Sequence, residues 1–188
     1  MPTVKELSLE NLQWSLQLAK KVLYSYIKYK KILKVPFEEI PPRFLEHQAC
    51  FVTYKKQQRL RGCIGSIFPT CPLHEEITKQ AIHAAAEDPR FPPIQDSELT
   101  QISTELTILS IPFSIKTPKE FIIGEHGIIL RKNGYSAVFL PQVALEQDWD
   151  TEETLINLSL KAGLSKNAWK ESDTRFEVFI AQKISEEK

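Results

Sequence analysis

A thiol and a guanidinium stand two residues apart between glycines in Leu60-Arg61-Gly62-Cys63-Ile64-Gly65. In an extended segment, residues two apart point to one face, which would set Arg61 beside Cys63. A cysteine becomes a nucleophile where it is partly exposed and a nearby cation favours its thiolate. The pair therefore has the residue types of a nucleophilic or redox site. A base would have to complete it, and His126, between Gly124 and Gly127 in an expected turn, is the candidate. Gly62 and Gly65 remove side-chain cover, so a ligand or another stretch of backbone can come close. The same residues thus also fit a tight structural crossing in which Cys63 is packed and inert.

A second group follows in Asp88-Pro89-Arg90-Phe91-Pro92-Pro93. The prolines fix an extended backbone that can hold Arg90 and Phe91 in place at low entropic cost. Arg90 could pair with a ligand carboxylate or phosphate, with Phe91 stacking beside it. The alternative is a helix stop in which Asp88 and Arg90 pair locally and Phe91 is buried. Glu105 lies in an alternating segment with Ser103 and Thr107 on its own face. It could pair with Arg61 in a cleft, act as an acid or base with a raised pKa, or make a plain salt bridge.

Metal-ligand spacing is sparse. Cys71 and His74 stand three apart with His83 beyond, but positions nine apart on a helix differ by ~180° and cannot share an ion. His47 and Cys50 make another loose pair, and neither C-x-x-C nor H-E-x-x-H occurs. No metal is expected. No glycine-rich phosphate loop is present, so nothing supports a nucleotide cofactor.

These residues need elements to position them. Ser8 can cap a helix reaching about Lys34, with Leu9, Leu12, Leu16, Ala19, Leu23, Tyr26 and Ile27 as its apolar stripe. Tyr24, Tyr26 and Tyr29 are expected at the edge of the core. Ala49–Tyr54 and Leu60–Ile67 read as paired strands around a polar turn at 55–58. Pro72 suits the start of a helix to about Glu87, which Asp88-Pro89 ends. Ile102–Ser110 is a half-buried strand, and residues 121–140 form strands around the Asn133-Gly134 turn. Gln142–Gln147 and Glu152–Lys161 read as helices, Gly163 stops the second, and Arg175–Gln182 is a last strand. Strand pairs between helices predict an α+β fold with a largely antiparallel sheet flanked by helices.

Composition narrows the functional classes. The 188 residues fit one domain, or one domain with a small lobe. Lysine plus arginine and aspartate plus glutamate are both 24, so no net charge drives general binding to nucleic acid or anionic membranes. Lysines 20, 21, 28, 30, 31 and 34 crowd the first helix and are expected to form a solvated face. Met1–Glu10 shows no signal-peptide pattern, no window approaches a membrane span, and three cysteines argue against a disulfide framework. A reduced, cytoplasmic setting is expected.

Several segments in one order resemble the AMMECR domain family, named from the AMME chromosomal region, in particular its prokaryotic branch, AmmeMemoRadiSam system protein A. They are Leu60–Gly65, Pro72-Leu73, Asp88–Pro93, Glu105–Ser110, Gly124–Gly127, Leu140–Ala144 and Lys161–Leu164 before Trp169. Glu125 departs from the lysine usual before the histidine-glycine pair and reverses a charge there. The resemblance implies a single domain over residues 8–182, built as a larger and a smaller lobe with a cleft between, both from discontinuous segments. It also implies an accessory role beside Memo-like and radical-SAM proteins.

Two functions follow. In the first, a binding module uses Arg61, Gly62, Cys63, Gly65, Asp88, Arg90, Phe91 and Glu105 to dock a partner protein or a small acidic ligand. In the second, a small enzyme uses Cys63 as nucleophile or redox thiol, Arg61 to stabilise the thiolate, and His126 or Glu105 to move the proton. Nucleic-acid binding through the first-helix lysines is a weaker third, opposed by the neutral charge.

Overall fold

The computed structural model describes residues 6–186. In chain order its elements are α1 (Leu9–Tyr29), β1 (Cys50–Lys56), β2 (Arg59–Gly65), α2 (Leu73–Ala86), β3 (Ile102–Leu109), β4 (Phe113–Ile115), β5 (His126–Lys132), β6 (Tyr135–Phe139), α3 (Gln142–Glu146), α4 (Thr151–Lys161) and β7 (Arg175–Ser185), with short 3-10 turns between. The fold is α+β, and its paired strands run antiparallel. Among the described residues, a larger unit takes 6–109 with 182–186, and a smaller unit takes 110–181.

The larger unit is a helix pair on a sheet. Ser8 caps α1 by accepting from the Asn11 N–H, as its sequence position suggests. The helix ends five residues earlier than its stripe predicts. Lys30 adopts a left-handed conformation (φ 52°), and its N–H turns back to the Ser25 and Tyr26 carbonyls. The Ser25 hydroxyl donates to the Lys31 carbonyl and fixes that exit. Strands β2, β1 and β3 lie side by side. Alternation sends Val52, Tyr54, Leu106 and Ile108 into one core with Val22, Ile77 and Ala81 of the helices. The Tyr54 hydroxyl donates to the Ala81 carbonyl 3.1 Å away, so the one polar atom of that buried ring is satisfied. The end of β7 joins this unit, with the Glu186 N–H donating to the Thr104 carbonyl. The strand runs three residues past the expected Gln182.

In the smaller unit β7 lies between β4 and β5, and β5 pairs β6 through the turn at Asn133-Gly134. Both turn residues have positive φ, 48° and 84°. Ile128, Leu130 and Val178 pack on Leu155 and Leu158 of α4. Asp150 and Glu153 form a reciprocal cap on that helix. The three-residue strand β4 is too short for periodicity to reveal.

Candidate functional site

The glycine-flanked motif is first a close crossing. Gly62 faces the core opposite Tyr54, and a Cβ there would lie 2.1 Å from the Ala84 carbonyl oxygen. Helix α2 rests on that bare backbone. A Cβ on Gly65 would meet the Phe51 ring at 2.4 Å. Both glycines are therefore accounted for by packing.

Arg61 and Cys63 do not follow simple alternation. The β1–β2 turn is Gln57-Gln58, both left-handed, and pairs Lys56 with Arg59 and Lys55 with Leu60. Beyond it Tyr54 pairs with Gly62, so Arg61 is the extra residue of a β-bulge. The bulge advances the register by one and sets Cys63 opposite Thr53.

The Asp88–Pro93 segment lies along the outer edge of β2. The Cys63 N–H donates to Asp88 Oδ2 at 2.8 Å, and Arg90 Nη2 donates to the Cys63 carbonyl at 2.9 Å. Arg90 also forks onto Asp88 through Nε (2.9 Å) and Nη2 (2.7 Å). Those bonds hold the buried Asp88 carboxyl far below the usual carboxylate range. The local Asp88–Arg90 pair expected of a helix stop is present. Phe91 is half-buried, with the Arg90 guanidinium 5.6 Å over its ring.

Arg61 closes the same assembly. Its Nε and Nη2 fork onto Glu98 at 3.1 and 2.9 Å, and its Nη1 donates to the Pro92 carbonyl at 2.8 Å. Both side chains of this ion pair are nearly buried, 13% and 14% exposed. Arg61, joined by Lys56, holds the Glu98 carboxyl down to about 2. Of the readings open for Glu105, the pairing with Arg61 is not formed, because Arg61 takes Glu98, and Glu105 makes a plain salt bridge with Lys55 and Lys183 instead. The bulge carries the guanidinium to the outer side of β2, while Glu105 is on β3, two strands inward.

The sheet face away from the helices is polar. Cys63, Thr53 and Glu105 form one cross-strand row on β2, β1 and β3. The Thr53 hydroxyl donates to the half-buried Cys63 sulfur at 3.1 Å. Glu105 accepts from Lys55 and Lys183, each at 2.9 Å. Burial pushes its carboxyl up, but the two lysines outweigh that and leave it below its ordinary value. Glu105 is therefore a fixed carboxylate and not a proton donor at neutral pH. Sequence reading missed Thr53, Lys55, Lys183 and Glu98. Thr53 could have been found only with the bulge known, since an unbroken two-residue hairpin would have set it against Gly62.

His126 opens strand β5 instead of standing in a turn. Its ring is buried in the smaller unit, where Nδ1 accepts from the Ile122 N–H at 3.2 Å and Phe113 packs edge-on. That nitrogen is occupied by a backbone donor. The other thiols are also committed. Burial pushes the Cys50 thiol well up, and burial together with the Glu76 carboxylate pushes Cys71 up to about 11. Glu76 itself is fully buried and accepts from Ser66, Thr70, Cys71 and Gln80, which ties the segment after β2 to α2. Among the described residues no group of three or more His, Cys, Asp or Glu side chains is placed to hold a metal ion. None of their helices is long and apolar enough to cross a membrane.

Comparison with known proteins agrees with this construction. A crystal structure of an uncharacterized protein from Pyrococcus horikoshii, PH0010, superimposes with a TM-score of 0.79 at 35% identity, covering 94% of this chain and 91% of that one. A protein of Methanopyrus kandleri, MK0488, is 41% identical over 97% of this chain and 92% of its own length. One from Thermococcus gammatolerans is 38% identical over 93% and 90%. The AMMECR1 family model matches residues 16–184. That match spans most of the chain, and the chain is a member of the AMMECR1 family.

Proposed function

We propose that the chain is a binding or accessory component whose working surface is the polar sheet face carrying Cys63, Thr53 and Glu105. One observation carries this reading: the charged groups of the motif are spent on one another. Arg61 is held by Glu98, Arg90 by Asp88, and Glu105 by Lys55 and Lys183. Preformed, mutually neutralised charges suit recognition, because they hold a fixed pattern of donors and acceptors. Proton transfer needs a group able to exchange its proton, and Glu105 is locked as a carboxylate. Lys55 and Lys183 remain partly exposed and could turn from Glu105 to an acidic group on a ligand or partner. The family resemblance points to Memo-like and radical-SAM proteins as those partners.

Titration calorimetry with a purified Memo-like and a purified radical-SAM protein tests the reading. The wild-type chain is expected to bind one of them in the micromolar range. Lys55→Glu with Lys183→Glu should weaken binding by roughly tenfold or more while the circular dichroism stays unchanged. Absence of binding to both proteins, or binding indifferent to the two lysines, would overturn it.

A thiol enzyme is the second reading, favoured by the Thr53 hydroxyl aimed at the Cys63 sulfur. It predicts that iodoacetamide modifies Cys63 far ahead of Cys50 and Cys71 in the folded chain, and that Cys63→Ser abolishes a turnover. Under the binding reading, Cys63→Ser keeps its affinity for the partner.

A further inference from the structure

Glu76 is a buried charge that the Cys63 face does not use. Its side chain is fully buried, and its four hydrogen-bond partners, Ser66, Thr70, Cys71 and Gln80, are all neutral. Among the described residues no cation pairs with it, and Lys79 acts on it only from beyond ion-pair range. A buried carboxylate is ordinarily paired with a cationic side chain or bound to a metal ion. Two orphaned acceptors stand beside it. Gln80 is 4% exposed and donates to Glu76 through Nε2 at 2.6 Å, while its own Oε1 is buried with no donor. Gln48 is 6% exposed, and its Oε1 is likewise buried without a donor. His47 bridges Pro72 in antiparallel sense, which sets Gln48 alongside Cys71. Side chains of such a cross-strand pair point to one side, and the Cys71 sulfur points at Glu76, 3.1 Å away. Cys50, two residues on and so on the same face as Gln48, is close enough to feel the Glu76 charge. The Gln48 amide is therefore turned toward the same buried spot.

We propose that Glu76, Gln48 and Gln80 form a buried site for a monovalent alkali cation. Its ligands are carboxylate and amide oxygens, a set that suits hard cations and not zinc. The Ser66 and Thr70 hydroxyls can join them, because their oxygens keep lone pairs while their hydrogens go to Glu76. One carboxylate sets the charge of the ion. Sodium or potassium neutralises it, whereas calcium would leave a net positive charge buried. A water molecule would satisfy the two amide oxygens but leave the carboxylate uncompensated. The ion lies under the segment directly after β2 and fastens it to α2. Its effect is on stability, and the proposal does not depend on the function assigned to the Cys63 face.

Thermal unfolding of the whole chain in sodium, potassium and choline chloride at one ionic strength tests the site. The melting midpoint is expected to be higher by about 3 °C or more in about 100 mM of one alkali chloride than in choline chloride. Glu76→Gln removes the charge and should shrink that difference to below about 1 °C, whatever it does to the midpoint itself. If that variant unfolds, Gln48→Met and Gln80→Met each remove one ligand oxygen, and each should at least halve the difference. Crystals grown in the salt that raises the midpoint, with rubidium standing in for potassium, should show an ion bonded to Glu76, Gln48 and Gln80. The proposal is overturned if the midpoint is the same in all three salts, if the difference survives in the Glu76 variant or in both glutamine variants, or if the crystals hold only a water at that place.

Discussion

Gly62 and Cys63 are neighbours on one strand with opposite surroundings. Gly62 faces α2 across a gap too small for a methyl group, whereas Cys63 faces away into a row of polar side chains and is half-buried there. The first position is set by packing alone. The second is set by packing only through its backbone, whose N–H and carbonyl are held by Asp88 and Arg90. The contrast separates what the motif does for the fold from what it offers a ligand: the fold uses the glycines, the arginine and the Cys63 main chain, and leaves the half-buried Cys63 sulfur to accept from the Thr53 hydroxyl.

The contrast can be broken in order of effect. Gly62→Ala should cost about 3 kcal/mol or more in urea unfolding, since the new atom meets backbone that cannot move without shifting α2. Asp88→Ala removes the acceptor for the Cys63 N–H and the partner of Arg90, and about 2–3 kcal/mol should be lost. Amide hydrogen exchange at Cys63 should speed up more than at Tyr54, which tells edge loss from global loosening.

Glu98→Gln comes next and is read against pH. Arg61 holds the folded Glu98 carboxyl at about 2, below its unfolded value of ~4.3. A depressed carboxyl contributes stability that is present above the unfolded value and lost as pH falls toward the folded one. The wild type should therefore weaken between about pH 4.5 and 2, and the variant should lose about 2 kcal/mol at neutral pH with a shallower acid limb over that range. The smallest effect is expected from Cys63→Ser, within about 1 kcal/mol, because the serine hydroxyl can still meet Thr53. A loss much larger than this would place the thiol in the packing and erase the contrast.

Much of this was legible in the sequence. Turn residues and apolar spacing marked each helix that carries a unit's core, the two hairpins, and the stop at Asp88-Pro89. The glycines could be read as points of close approach, although not which backbone approaches. The site was less legible because its register depends on one inserted residue. Nothing in Leu60-Arg61-Gly62 announces a bulge, and an unbroken register would set Cys63 opposite Val52, on the face that packs against the helices. Glu98 sits in a 3-10 turn far along the chain, and no periodic pattern connects it to Arg61. His126 was misjudged because flanking glycines suggest a turn, when Gly127 instead makes room for the Phe179 ring beneath a strand.

Strand β2 ends the row of strands in the larger unit, so its outer backbone has no strand to pair with. An open edge of that kind is where a second polypeptide adds itself, and such addition leads to aggregates. Here the exposed N–H and carbonyl of Cys63 are already taken, by a carboxylate and a guanidinium set on a proline-stiffened loop that cannot itself propagate a sheet. The Asp88–Arg90 pair thus works as a terminator, imitating with two side chains the hydrogen bonds of a neighbouring strand. At Cys63 the border of the larger unit's polar face thus offers no open hydrogen-bond pair to an added strand.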